Sequence, residues 1–242
     1  GVENDYRMPL YNSPTNILTF EQIEENKKSY KKICKSIGIN YNDIVKTNQV
    51  HKDVIKNVEN KINEFEPDFY EKAYDQTDGL ITNKSNIALC ATNADCIVLM
   101  MYDAQKHVIA NVHSGWKGTV QKIASKTIDK MQEQYNCNPK DIICCISPSI
   151  RECHFEVDQD VKDAFLEAFP KETDSIKQAH EKWHIDTVRI NIEMLKEKGL
   201  REENIIDSKI CTVCNCSQIH SYRGSKHHNG LEMGILELKG MI

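Results

Sequence analysis

No apolar run in this 242-residue sequence approaches the roughly 20 residues that a membrane-spanning helix needs, so a membrane partner is not expected. The opening stretch, GVENDYRMPL, has no signal-peptide core, and the expectation is a soluble, cytoplasmic protein. Basic charge is also short: Lys and Arg number 31 against 36 Asp and Glu, a net charge of -5. A general nucleic-acid binder shows a basic face, whereas these lysines are scattered, so nucleic acid is not an expected partner. Linkers and repeats are missing as well. No Pro/Gly/Ser-rich or low-complexity stretch divides the chain, which leaves residues 1–242 reading as one domain able to bury a substantial core. Cysteine, by contrast, is plentiful at ten. Without an export signal these read as reduced thiols, and Cys90, Cys144 and Cys145, set in apolar runs, read as small core residues.

The residues that are present centre on Asn86 to Gly118. Three apolar runs of strand length, IALCAT, CIVLMMY and HVIANV, follow one another there, each bounded by polar or turn residues. Upstream, NILTF suggests a short extended piece, and Glu21 to Ile37 reads as a helix with Ile23, Tyr30, Ile33 and Cys34 on one face and Gly38 as its stop. Asp43 to Val58 predicts strand, loop and strand. Glu59 to Gln76 is charged and reads as a surface connection, and DGLIT as a turn feeding a strand. Beyond Gly118, residues Val120, Ile123, Ala124, Thr127, Ile128 and Met131 recur at helical spacing, which predicts one helix starting behind His113. DIICCIS is a further strand; helices are expected over Val161 to Phe169 and Asp186 to Lys198, and LEMGILELK closes the chain as a strand.

Chemistry gathers at the strand ends. Asp95 and Cys96 stand at the mouth of the second run and His113 at the end of the third. A thiol and an imidazole that converge suit either nucleophilic catalysis by a thiolate or zinc ligation. A catalytic zinc takes three protein ligands, and His51, in the loop after Asn48 and Gln49, is the candidate third. The helix start behind His113, with Lys117, would favour an anion. The loop from Pro148 to Val157, with Ser149, Cys153, His154 and Glu156, is a candidate site wall. Cys211-Thr-Val-Cys214-Asn-Cys216 resembles half of a metal site, but no second half follows in sequence, so these read as structural thiols; His220, His227 and His228 lie nearby. Arg223, in SYRG, offers a fork suited to phosphate or carboxylate.

Taken together and in order, YNSPTNI, the EENKKSYKKICKSIGI helix, NQVH, TDGLIT, NADC, HSGWKGTV, ISPSIRECHFEV, CTVCN and HSYRG resemble the YfiH-type laccase-domain family. Its members are also called polyphenol oxidoreductases and are now regarded as purine nucleoside phosphorylases. The resemblance implies an α+β fold, a single-domain α/β/β/α sandwich related in shape to a toxin deamidase. It implies zinc on His51, Cys96 and His113, and phosphorolysis of adenosine, inosine and methylthioadenosine to the free base and ribose 1-phosphate, with adenosine deamination as a second activity. The expected partners are thus a nucleoside and phosphate. Asp95 is expected to move a proton, Cys96 to take part in catalysis as a ligand, and Arg223 to hold phosphate with help from Lys117. Gln49 and Ser149 complete the expected substrate contacts.

Several positions depart from the family pattern. Lys117 stands where arginine is usual, Gly224 where a second arginine commonly follows Arg223, Ser147 where glycine is usual, Asn93 where threonine is usual, and Leu231 where a later arginine would fall. Alternative readings are a copper polyphenol oxidase, a metal-free Cys–His hydrolase or deamidase, and a non-catalytic nucleoside-binding module. The sequence leaves monomer and homodimer both open.

Overall fold

Two sheets packed face to face explain why the central apolar runs are continuous rather than alternating. The computed structural model describes residues 20–60, 74, 76–225 and 230–240. In chain order the elements are α1 (Phe20–Ile37), β1 (Ile44–Lys46), β2 (Ile55–Asn57), β3 (Gly79–Thr82), β4 (Ala88–Asn93), β5 (Ile97–Asp103) and β6 (Val108–Ser114). Then follow α2 (Trp116–Val120), α3 (Ile123–Tyr135), β7 (Ile142–Ile146), β8 (Glu156–Val157) and α4 (Gln159–Ala168). The remainder comprises β9 (Ile176–Ala179), β10 (Lys182–Ile185), α5 (Thr187–Glu197), β11 (Ile205–Asp207) and β12 (Glu232–Glu237).

The larger sheet runs β11-β7-β5-β6-β3-β2, antiparallel in the middle and parallel at both edges. A second sheet, β1-β4-β12, lies against it. Every position of β4 is buried: Ala88 and Cys90 pack with Tyr30 and Cys34 of α1, while Leu89 meets Ile109 of β6. A strand covered on both faces has no solvent side to make polar. Asn111 of β6 ties the sheets together, its amide donating to Leu89 O at 2.8 Å and to Gly234 O at 2.9 Å. On the other face of the large sheet, Leu99, Met101, Ala110 and Val112 pack with Ile128 and Met131 of α3 and Val188 and Leu195 of α5. The layers are therefore helix, sheet, sheet, helices, the expected α/β/β/α sandwich and an α+β fold.

The helix stops lie where glycine permits them. Gly38 takes φ 70° and Gly199 φ 97°, and the following N–H groups, of Ile39 and Leu200, return to Cys34 O and Leu195 O at 2.9 and 3.1 Å. Behind His113 the structure corrects the sequence reading. The single helix expected there is two, because Lys122 adopts φ 62° and its N–H turns back to Thr119 O. Neither glycine nor proline marks that break. A small sheet, β8-β10-β9, also forms where no strand was expected. NILTF, apart from Phe20, and most of the 59–76 connection fall outside the described residues, as do His227, His228 and the side chain of Ile23. No described helix is long and apolar enough to cross a membrane.

Candidate metal centre

His51, Cys96 and His113 arrive from three loops or strand ends, and their ligand atoms all lie within 4.8 Å of one another. Cys96 stands just before β5 and His113 one residue from the end of β6, so the pairing of those strands sets them side by side. His51 comes from the loop between β1 and β2, with Nε2 3.8 Å from the Cys96 sulfur. Its ring meets that of His113 edge-on, centroids 4.8 Å apart at 87°.

The residue that organises this cluster is Asp78, immediately before β3, which the sequence reading passed over. Its carboxylate accepts the N–H groups of Val50, His51 and Lys52 at 3.2, 2.9 and 2.8 Å. Three successive N–H groups on one anion offset the left-handed backbone of His51, at φ 59°. The same carboxylate lies 2.9 Å from His113 Nδ1, which directs Nε2 of that ring toward the cluster. Its signal was the acidic residue in TDGLIT, beside the ligand motifs in space but not in sequence.

Burial of Asp78 works against its charge, but the His113 hydrogen bond and charge and the donors from Lys52 and Val50 hold it below the usual carboxylate range. Burial alone would push the Cys96 thiol up; His113 and His51 beside it draw it down to about 6. His113 is the counterpart. Burial disfavours its cation, yet Cys96 and Asp78 raise it to about 9. Each partner thus favours the charged form of the other, a thiolate on Cys96 and an imidazolium on His113.

Two imidazoles and one thiolate form a three-ligand set of the kind that leaves a position open for water or substrate. The space fits that use. A Cβ at Gly115 would stand 2.7 Å from His51 Cδ2, 3.3 Å from Cys96 Sγ and 3.5 Å from His113 Cε1, so glycine leaves the hollow beside all three clear.

The cluster opens into a cavity of about 430 Å³, within the range of small-molecule sites. Trp116, Phe155 and Tyr222 give it aromatic surface, and among the described residues Arg223 and Lys46 bring Arg and Lys charge to its lining. Lys46 was not anticipated: β1 carries it inward, beside the Tyr30 ring at 5.9 Å. Lys117, expected to bind phosphate, does not line the cavity; it is exposed, its Nζ 5.5 Å from the centre of the Trp116 ring. Ser149, expected to contact substrate, is fully buried and does not line the cavity. Gln49 lines the cavity, but its amide is held at both ends by Thr92: Nε2 donates to the carbonyl at 2.7 Å and Oε1 accepts the N–H at 2.8 Å.

Asp95, expected to carry a proton, is also a tie between segments. Its backbone takes φ 85°, and its carboxylate accepts Thr212 Oγ1 at 2.5 Å, Ser221 Oγ at 2.6 Å and the N–H of Arg223 at 2.7 Å. With those lone pairs engaged, it joins the Cys96 loop to two C-terminal segments. Arg223 is further fixed by donating to the carbonyls of His154 and Glu156 at 3.2 and 3.0 Å. The glycine after it has a steric cause. A Cβ at Gly224 would meet Cys216 Cβ at 2.9 Å and Ser221 Oγ at 3.0 Å, so a second arginine does not fit this turn.

A family model described as multi-copper polyphenol oxidoreductase laccase matches residues 19–239. A purine nucleoside phosphorylase, YlmD, of Bacillus subtilis strain 168 is 34% identical over 172 residues, covering 70% of this chain and 62% of its own length. An adenosine deaminase from an unknown prokaryotic organism is 28% identical over 193 residues, covering 79% and 73%. Among solved structures, the hypothetical protein YfiH of Bacillus licheniformis superposes with a TM-score of 0.83 at 28% identity, over 89% of this chain and 82% of that one.

Proposed function

Because the chain belongs to the family described as multi-copper polyphenol oxidoreductase laccase, with relatives named for purine nucleosides, we propose that it is a zinc-dependent purine nucleoside phosphorylase with adenosine deamination as a second activity. The observation that carries this reading is a three-residue His51–Cys96–His113 cluster opening onto a cavity lined by aromatic surface and by Arg223 and Lys46. Adenosine, inosine and methylthioadenosine are the proposed substrates, with phosphate as co-substrate. Zinc bound there would supply a Lewis acid and a water of lowered pKa.

The protein's own groups account for the remainder. In phosphorolysis an oxygen of hydrogen phosphate forms a bond to C1′ as the C1′–N9 bond breaks, and the base leaves with the bonding pair, taking up the proton that the phosphate gives up. Arg223 and Lys46 are the cations placed to hold the phosphate, and the carbonyls of His154 and Glu156 keep the guanidinium from swinging away. Trp116, Phe155 and Tyr222 offer faces on which a purine can stack. In deamination an oxygen from water adds at C6 and the C6–N6 bond breaks to release ammonia. Asp78 sets the tautomer of His113 throughout, and Asp95 holds the Arg223 segment against the Cys96 loop.

The test is release of free base from adenosine and inosine, with and without phosphate, on protein of known metal content and on His51→Ala. Phosphate-dependent release that falls with zinc in His51→Ala is expected; release that persists without metal would overturn the zinc assignment. The thiolate–imidazolium character of Cys96 and His113 favours a second reading, a metal-free cysteine hydrolase. Cys96→Ser separates the two: lost activity with metal content unchanged supports the hydrolase. A copper requirement at physiological metal levels would instead favour the oxidase reading.

A further inference from the structure

Cys211 and Cys214 lacked a second half-site in sequence, and the fold supplies one. The loop after β7 brings Cys153 and His154 against them, so that three sulfurs and one ring nitrogen lie within 4.8 Å of one another. Cys153 Sγ is 3.6 Å from Cys211 Sγ and 3.9 Å from Cys214 Sγ. His154 Nδ1 is 3.1 Å from Cys153 Sγ, 3.7 Å from Cys211 Sγ and 3.5 Å from Cys214 Sγ.

These spacings can be compared with a tetrahedron. With metal–sulfur bonds of roughly 2.3 Å and metal–nitrogen bonds of roughly 2.0 Å, its sulfur–sulfur edge is roughly 3.8 Å and its sulfur–nitrogen edge roughly 3.5 Å. The sulfur separations bracket the first value, and two of the three nitrogen separations fall close to the second. All are far longer than the roughly 2.05 Å of a disulfide, and none of the ten cysteines is bonded to another.

We propose that Cys153, His154, Cys211 and Cys214 form a second metal site, a closed tetrahedral Cys₃His site for zinc, separate from the His51–Cys96–His113 centre. Four protein ligands leave no open position, so its role is structural. Thiolates and imidazole also select a borderline-soft ion over magnesium or calcium. The N–H groups of Cys214 and Arg151 point at the Cys211 sulfur, the kind of outer support that fixes a thiolate ligand.

The location gives the site a consequence. It would clip the 151–154 loop to the 211–214 turn, already joined by the bridge between Ser149 and Cys211. His154 carries a carbonyl that holds Arg223, and Thr212, between two of the ligands, donates to Asp95. A zinc there would stiffen the cavity wall that presents Arg223. Cys153 and Cys214 are exposed, so the ion can enter from solvent.

The experiment is zinc counting on the reduced, zinc-replete full chain, with iodoacetamide labelling mapped by peptide mass. Two zinc ions per chain are expected, one surviving in His51→Ala, and the Cys153→Ser/Cys214→Ser double variant should lose one. In the wild type, Cys153, Cys211 and Cys214 should resist alkylation until a chelator is added. Immediate labelling of all three in zinc-replete protein, a Cys153–Cys211 disulfide, or a His51→Ala protein without zinc would each overturn the proposal. If the double variant does not fold, the wild-type labelling pattern still decides. Because metal is counted, the outcome is independent of whether the proposed nucleoside chemistry is correct.

Discussion

Asp78 does not line the cavity, yet three backbone N–H groups and the His113 ring converge on its carboxylate. Asp78→Asn keeps the shape but turns one acceptor oxygen into a donor, facing N–H groups with N–H groups. Zinc affinity should fall about 10- to 100-fold, the usual cost of losing such a partner, as read by competition with a chromogenic chelator. Cys96 yields a second residue-scale prediction. Its thiolate is the reactive form, and in metal-free protein its pKa of about 6 places that form well below the range of an ordinary thiol. The iodoacetamide rate at Cys96 should rise through pH 6 and level off above it. A rise centred between pH 8 and 9 would show that the histidines do not hold the thiolate. The linkage has the sign of a depressed acid: the stability contributed by this thiolate is present above the unfolded-state pKa and is lost as pH falls through about 6.

At the scale of elements, the turn from β6 into α2 is the tightest part of the site. Gly115 has φ -71°, so it is not there for a left-handed conformation; it is there because a side chain would occupy the place of the His51 ring. Gly115→Ala should displace that ring and strip the metal from this centre, while the melting temperature of the metal-free protein changes little, because the His51 side chain is exposed and can turn aside. Metal analysis and a thermal melt of apo protein check the two halves. The break between α2 and α3 belongs to the same scale. Val120, Ile123 and Ile128 keep their helical spacing across it, so periodicity alone gives one helix. The left-handed Lys122 re-aims α2, and the break leaves Thr119 bonded to Ser114 and Asn191 in a buried polar group behind the site.

For the molecule as a whole, the proposed ligands His51, Cys96 and His113 bring the β1–β2 loop to the ends of the paired strands β5 and β6, and a metal that binds only this arrangement would stabilise it by mass action. At free zinc a hundredfold above its dissociation constant the gain is about 2.7 kcal/mol for one site. The melting temperature should therefore climb with zinc and drop on chelation, and His51→Ala should show a smaller response. An unchanged melt on chelation would mean that the ligands are not brought together by metal in the folded protein.

The individual strands and helices were legible because strands buried on both faces and helices with one apolar stripe leave local, periodic marks, as in IALCAT and the Tyr30–Cys34 face, whereas the layered α/β/β/α order was implied by the family resemblance and not by periodicity. The three proposed ligands were legible as well, since each stands at a strand end or in a loop within a short motif. What the tertiary structure decided were relations between residues far apart in the chain: Asp78 under His51 and His113, Lys46 in the cavity while Lys117 lies outside it, Ser149 sealed away, and Cys153 beside Cys211 across 58 residues. Periodicity reports which face of an element is apolar. Which polar groups meet depends on sheet order and loop path, and those follow from packing of the whole chain.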